Sequence, residues 1–257
     1  EGFATGSGHT CVVLDNDALK CFGANDYGQL GQGDTVSRGA TPISMGNAIG
    51  AVDLGTGLTV VALSAGSGHT CAILSDSSLK CFGKNDKGQL GLGDTNNRGD
   101  EPLEMGDALP AVNLGVGRTA VSVMASGDFT CVILDTLKVT CWGAGEYGNL
   151  GLGSTEDLGT FANPLGPSLS VVDLGVGYEA FSLGAGPCAV FSTGGIKCWG
   201  KGVYGAHGLG DMDDRGDEAG EMGENLPFVV TGPGGLTTFI SGGRDFNCVI
   251  LMLGGVK

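Results

Sequence analysis

Short apolar runs broken by glycine and small polar clusters set the pattern of this chain, and each run is strand length. Residues 59 to 65 are rich in Val and Ala and end at Gly66. Cys71-Ala72-Ile73-Leu74 and Leu79-Lys80-Cys81-Phe82 flank the turn-forming cluster Ser75-Asp76-Ser77-Ser78. Such runs bounded by polar turn residues predict a β-hairpin. No segment carries a sustained helical period with caps, so the pattern predicts an all-β chain and disfavours a helical solenoid.

The pattern repeats. Nine cysteines stand at Cys11, Cys21, Cys71, Cys81, Cys131, Cys141, Cys188, Cys198 and Cys248, the first eight as pairs recurring about every sixty residues. Ser7-Gly8-His9-Thr10-Cys11 returns unchanged as Ser67-Gly68-His69-Thr70-Cys71, and Leu19-Lys20-Cys21-Phe22-Gly23 as Leu79-Lys80-Cys81-Phe82-Gly83. Trp takes the aromatic place at Cys141-Trp142-Gly143 and Cys198-Trp199-Gly200. Tyr27-Gly28-Gln29-Leu30-Gly31 has counterparts in Lys87-Gly88-Gln89-Leu90-Gly91, Tyr147-Gly148-Asn149-Leu150-Gly151 and Tyr204-Gly205-Ala206-His207-Gly208. Tandem units of this length, each one supersecondary element, predict stacked blades.

A hairpin turn over Asp15-Asn16-Asp17 sets Val13 against Leu19, Val12 against Lys20 and Cys11 against Cys21. Directly opposed residues of antiparallel strands come close enough for a disulfide. A bridge closing so short a loop is worth roughly 3 kcal/mol on the chain-entropy account. The alternative is four pairs of reduced, buried thiols. Zinc fits less well, because no Cys-x-x-Cys pair occurs and the histidines do not accompany every cysteine pair.

Cys248-Val249-Ile250-Leu251 opens a fifth copy, and Lys257 takes the place of Lys20 and Lys80 just before a second cysteine. The expectation is a partner for Cys248 immediately beyond Lys257, and so a chain that is part of a longer polypeptide. The fourth copy is three residues short between Gly184 and Cys188.

Three motifs carry a family resemblance: Gly66-Ser67-Gly68-His69-Thr70, Lys80-Cys81-Phe82-Gly83, and Asn85-Asp86-Lys87-Gly88-Gln89-Leu90-Gly91-Leu92-Gly93-Asp94. They resemble the regulator-of-chromosome-condensation repeat family along the whole chain. The resemblance implies a β-propeller, usually of seven blades with four-stranded sheets. Seven units of sixty residues need ~420 residues, so residues 1–257 are expected to form part of a single propeller domain with four to five blades. The founding member is a nuclear exchange factor for a small GTPase that also binds chromatin. Other members are secreted or surface proteins, including a bacterial inhibitor of β-lactamase. The paired cysteines and the Arg98-Gly99-Asp100-Glu101-Pro102 stretch look like the secreted or surface type.

Charge narrows the partners. The formal net charge is −15, with 28 Asp and Glu against 13 Lys and Arg. Such a surface repels phosphate backbones and anionic bilayers, which argues against nucleic acid and membrane insertion. No apolar stretch reaches the length of a membrane span. His9 and His69 share a repeat position with Phe129 and Phe246, and His207 stands where Leu30 and Leu90 do. A histidine swapped for Phe between copies reads as packing, so a Ser-His-Asp or Cys-His machine finds no support. Gly31-Gln32-Gly33 lacks the strand-to-helix context of a dinucleotide site.

One acidic loop invites a metal. Asp211, Asp213, Asp214, Asp217, Glu218 and Glu221 lie within eleven residues, a density of oxygen ligands that suits Ca²⁺, although their order is not that of an EF-hand. A solvated loop is the competing reading, and no other cofactor is expected. Arg98-Gly99-Asp100 and Arg215-Gly216-Asp217 spell an adhesion tripeptide but occupy equivalent repeat positions, which repeat consensus explains.

These readings converge on an extracellular or cell-surface, non-enzymatic propeller, disulfide-stapled, that binds a protein partner or joins an assembly. An intracellular nucleotide-exchange or ubiquitin-pathway propeller is the alternative. A carbohydrate-binding propeller is the third, with a glycan as partner, although no paired-carboxylate signature is present.

Overall fold

The computed structural model describes residues 2–162, 164–165, 169–232, 235–243, 246–252 and 255–256; Lys257 lies outside them. Among the described residues fourteen strands form five antiparallel sheets in chain order. The first sheet is β1 (Phe3–Thr5), β2 (His9–Val13) and β3 (Leu19–Gly23); the second is β4 (Val60–Ala65), β5 (His69–Leu74) and β6 (Leu79–Gly83). The third is β7 (Ala120–Ser126), β8 (Phe129–Leu134) and β9 (Val139–Gly143); the fourth is β10 (Ala180–Leu183), β11 (Cys188–Phe191) and β12 (Ile196–Cys198). β13 (Thr237–Gly243) and β14 (Phe246–Leu251) make the fifth. No described helix is long and apolar enough to cross a membrane.

The hairpin register is the one the turn implies: Val13 pairs with Leu19, Val12 with Lys20 and Cys11 with Cys21. Each turn reverses through one residue with positive φ, which is Asp17, Ser77 and Leu137 in the first three sheets and Gly194 in the fourth. Asn16 Oδ1 and Asp76 Oδ1 brace two of these turns by accepting the amides of Ala18 and Ser78. Short polar side chains able to do this are what turn positions select.

Strand alternation builds the core. In the second sheet Cys71, Ile73, Leu79 and Cys81 pack toward Val132, Leu134 and Trp142 of the third sheet. Ala72, Leu74 and Phe82 pack the other way, onto Cys11, Leu19 and Cys21 of the first. The second, third and fourth sheets are therefore apolar on both faces, and the cores lie between neighbouring sheets. The first strands β1, β4, β7, β10 and β13 adjoin in succession, so the sheets fan out from a common axis as propeller blades do.

Two details differ from expectation. The described sheets have three strands or two, and the fourth strand that the resemblance implies is reduced to single bridges, Gly23 to Arg38, Gly83 to Arg98, Gly143 to Leu158 and Gly200 to Arg215. The intervening segments are spent on turns held by side chains, which removes the run of free amides a strand needs. In the fourth sheet the shortened entry closes as a tight turn. The Gly184 amide donates to Cys188 O and the Cys188 amide to Gly186 O, so the β11–β12 pairing starts at Cys188.

Candidate functional site

Four disulfides occupy one place in four successive sheets. Cys11–Cys21, Cys71–Cys81, Cys131–Cys141 and Cys188–Cys198 are bonded, with Cα–Cα distances of 4.1, 4.1, 4.1 and 4.0 Å. Such close opposition belongs to the pairs of an antiparallel ladder that do not exchange hydrogen bonds. All eight cysteines are buried against the next sheet. Cys248 has the equivalent position on β14, opposite Ser241, and is exposed as a free thiol.

A polar belt ties each blade to the next. His9 Nε2 lies 2.9 Å from Thr70 Oγ1, and that hydroxyl donates to Gln29 O at 3.0 Å. His69, Thr130 and Gln89 repeat the arrangement at 3.0 and 2.9 Å. Trp142 Nε1 donates to Gln89 O and Trp199 Nε1 to Asn149 O, each at 3.0 Å. Both histidines are buried. Desolvation of the charged imidazole pushes His9 down to about 4 and His69 to about 3, with the neighbouring His9 and Lys84 charges adding to the latter. These rings are neutral structural members, as their exchange with Phe suggests. His207 is likewise buried between the fourth and fifth sheets, and burial lowers its pKa.

The Asn-to-Asp turns are small self-contained frames. Asn25 Oδ1 accepts the Leu30 amide while its Nδ2 donates to Asp34 O, and Asn85 does the same for Leu90 and Asp94. Gly91 packs edge-on to Trp142; a Cβ there would stand 2.7 Å from the indole nitrogen, and its φ of 71° also demands glycine.

The adhesion-like tripeptides serve these frames. The Arg98 guanidinium turns back onto Asp94 at 2.6 Å, and Arg215 onto Asp211 at 2.9 Å. Glu104 Oε2 accepts the amides of Gly99 and Glu101, and Glu221 Oε2 those of Gly216 and Glu218. Gly28 and Gly148 of the preceding blades press against these loops so closely that a Cβ would strike the Asp100 and Asp217 amides. Both tripeptides are interlocks between blades.

The acidic loop spends its carboxylates in the same way. Asp211 holds Arg215, Asp214 accepts the Gly202 amide at 2.8 Å, and Asp213 reaches Arg215 only at 3.7 Å. Burial, with Glu221 beside it, raises the Asp217 carboxyl; burial acts on Glu221 too, but the Glu218 and Gly216 amides outweigh it and hold that group low. Glu218 contributes its amide to the loop. Among the described residues, no three His, Cys, Asp or Glu side chains are grouped as a metal site. The sequence reading missed the partnership of Glu104 and Glu221 with backbone amides, although their shared place five residues after Gly99 and Gly216 was a usable signal.

Comparison with known proteins follows the repeat. Two family models described as regulator of chromosome condensation (RCC1) repeat match residues 2–29 and 60–89, and residues 20–73 and 79–133. The chain is 31% identical over 216 residues to the ultraviolet-B receptor UVR8 of Arabidopsis thaliana, covering 82% of this chain and 44% of UVR8. It therefore spans less than half the length of that relative. Among solved structures, human WBSCR16 superposes with a TM-score of 0.73 at 18% identity, over 100% of this chain and 61% of that one. Yeast RCC1 (Prp20), solved bound to Kap60, gives 0.67 at 17% identity over 96% and 52%. At such identities these structures establish the fold alone.

Proposed function

The chain belongs to the regulator-of-chromosome-condensation repeat family, and from that premise we propose that it is a non-enzymatic, protein-binding propeller of an extracellular or cell-surface compartment. The observation that carries this reading is the set of four buried disulfides at one register. Thiols kept reduced by a cytosol do not pair so regularly, whereas an oxidising compartment rewards a staple in each blade. Binding, not catalysis, is supported by the use of the polar groups: the histidines are neutral and buried, and the carboxylates of the conspicuous loop hold arginines and amides. Yeast RCC1 (Prp20), bound to Kap60, is an example of this fold engaging a protein.

The test is non-reducing mass spectrometry of the protein isolated from its own cells after alkylation. Intact Cys71–Cys81 and Cys131–Cys141 cross-links are expected. Alkylated Cys71 and Cys81 would overturn the compartment and favour an intracellular propeller.

A further inference from the structure

The inner strands carry a repeated irregularity. Pairing slips between Val60 and Ala62, between Ala120 and Ser122, and between Ala180 and Ser182, so that one extra residue bulges out of each first strand. The residues expelled are Val61, Val121 and Phe181, which are 69%, 55% and 65% exposed although each sits in a strand. In the fifth sheet the same slip falls on Thr238. A bulge re-aims a side chain and is a means of presenting it, and a strand that bulges at the same place in three blades to present Val, Val and Phe forms an apolar collar.

The collar lies at the hairpin-turn end of the ring. The Ser75 amide donates to Thr59 O and the Asp135 amide to Thr119 O, which places the turns beside the bulges. The basic groups at this end are engaged within the chain: Lys20, Lys80, Lys138 and Lys197 donate to backbone carbonyls, and Arg118 is paired with Asp135. Asp15, Asp17 and Asp76 face solvent on the turns.

We propose that this collar is the docking surface of the propeller, and that its occupant is a basic, apolar-tipped segment of a partner protein. The apolar side chains seat on Val61, Val121 and Phe181, and the Lys or Arg side chains meet the turn aspartates. An anionic lipid surface is the wrong partner, because the rim repels it. This deepens the protein-binding reading and rests on it.

Fluorescence anisotropy with a labelled alternating Lys-Leu peptide tests the surface, with Glu-Leu and Lys-Ser peptides of equal length as controls. The Lys-Leu peptide should bind at least tenfold more tightly than either control. The triple variant Val61→Ser, Val121→Ser, Phe181→Ser should lose tenfold or more, and Asp15→Asn with Asp76→Asn several-fold. Val36→Ser with Leu103→Ser, exposed apolar residues of other loops, should lose nothing. All the sites are exposed, so unchanged circular dichroism and four intact disulfides establish that the variants fold. Equal binding by the triple variant, or preference for phosphatidylserine vesicles over the peptide, would overturn the proposal. Capture of a natural partner at undiminished affinity by the triple variant would sink the collar while leaving the protein-binding reading standing.

Discussion

His69 Nε2 lies 3.0 Å from Thr130 Oγ1 although the two residues sit in different sheets and 61 positions apart. The hydroxyl passes its own hydrogen to Gln89 O, a third point on the turn between those sheets. One repeat period separates the partners, so each copy of Gly-x-x-His-Thr supplies the histidine of one belt and the threonine of the belt before. This explains why His and Thr recur together while the bond between them never falls within a single repeat.

The belt makes stability depend on pH. Burial holds His9 near 4 and His69 near 3, whereas in the unfolded chain both titrate near 6.5. The unfolded state therefore binds more protons below pH 6.5, and stability falls as pH falls. The linkage amounts to roughly 3 kcal/mol for each histidine by pH 4. Thermal melts from pH 7 to 4 should show this loss. His69→Phe, which installs the residue native at Phe129, should flatten the profile; an unchanged slope in that variant would refute the assignment.

The staples give a second expectation. Replacing Cys71 and Cys81 together by Ala should cost roughly 3 kcal/mol from the freed loop of the unfolded chain. Removing Cys81 alone should cost no more, since the neutral thiol left at Cys71 packs in its apolar cluster as a small hydrophobe. Urea midpoints of the two variants measure both. Equal stability of the double variant and the parent would mean that the register, not the bond, holds the blade.

What could be read from the sequence was the geometry inside one repeat. The turn at 15–17 fixes which residues oppose, so the Cys11–Cys21 register followed from counting. What could not be read was where loop carboxylates turn and where a first strand slips. Glu221 looks like a calcium ligand when it is counted with Asp211 and Asp217 along the chain. Only the fold shows its oxygen on the amides of Gly216 and Glu218. The bulge at Val61 was hidden for a similar reason, because an extra residue in a Val-rich run leaves composition unchanged. Among the described residues the fourth strand is cut to a bridge by side-chain chemistry: Asn25 and Asp34 hold a turn between Gly23 and Arg38.

Lys197 offers a third test. It is buried, its ammonium donates to Leu174 O at 2.9 Å and Gly223 O at 2.7 Å, and it lies 5.0 and 4.9 Å over the rings of Tyr178 and Phe228. Desolvation lowers its pKa, with the Glu224 and Asp173 charges opposing. Lys197→Met keeps the apolar stem but leaves two carbonyls without this donor, a loss of about 2 kcal/mol after relief of the buried charge. Lys197→Ala should lose more by opening a cavity as well. Denaturant titration ranks the two, and a Met variant as stable as the parent would show that the carbonyls find other donors.

Leu137 is a place where the chain can be improved. Its φ is 60°, the left-handed region that Asp17 and Ser77 occupy in the first two turns and Gly194 in the fourth. Aspartate, with its short polar side chain, visits that region at lower cost, and glycine has no Cβ to clash, but leucine has neither advantage. Its side chain is more than a third exposed, so little packing repays the strain. The left-handed penalty for a residue with a Cβ is roughly 1–2 kcal/mol. Leu137→Gly should therefore raise stability by about 1 kcal/mol, the remainder being lost to the greater freedom of glycine in the unfolded chain. Leu137→Ala, which keeps the Cβ, should show no gain. Melting temperatures of the two variants decide the matter: a rise in both would assign the effect to lost surface hydrophobicity, and a fall in the glycine variant would show that the leucine packs more tightly than its exposure implies.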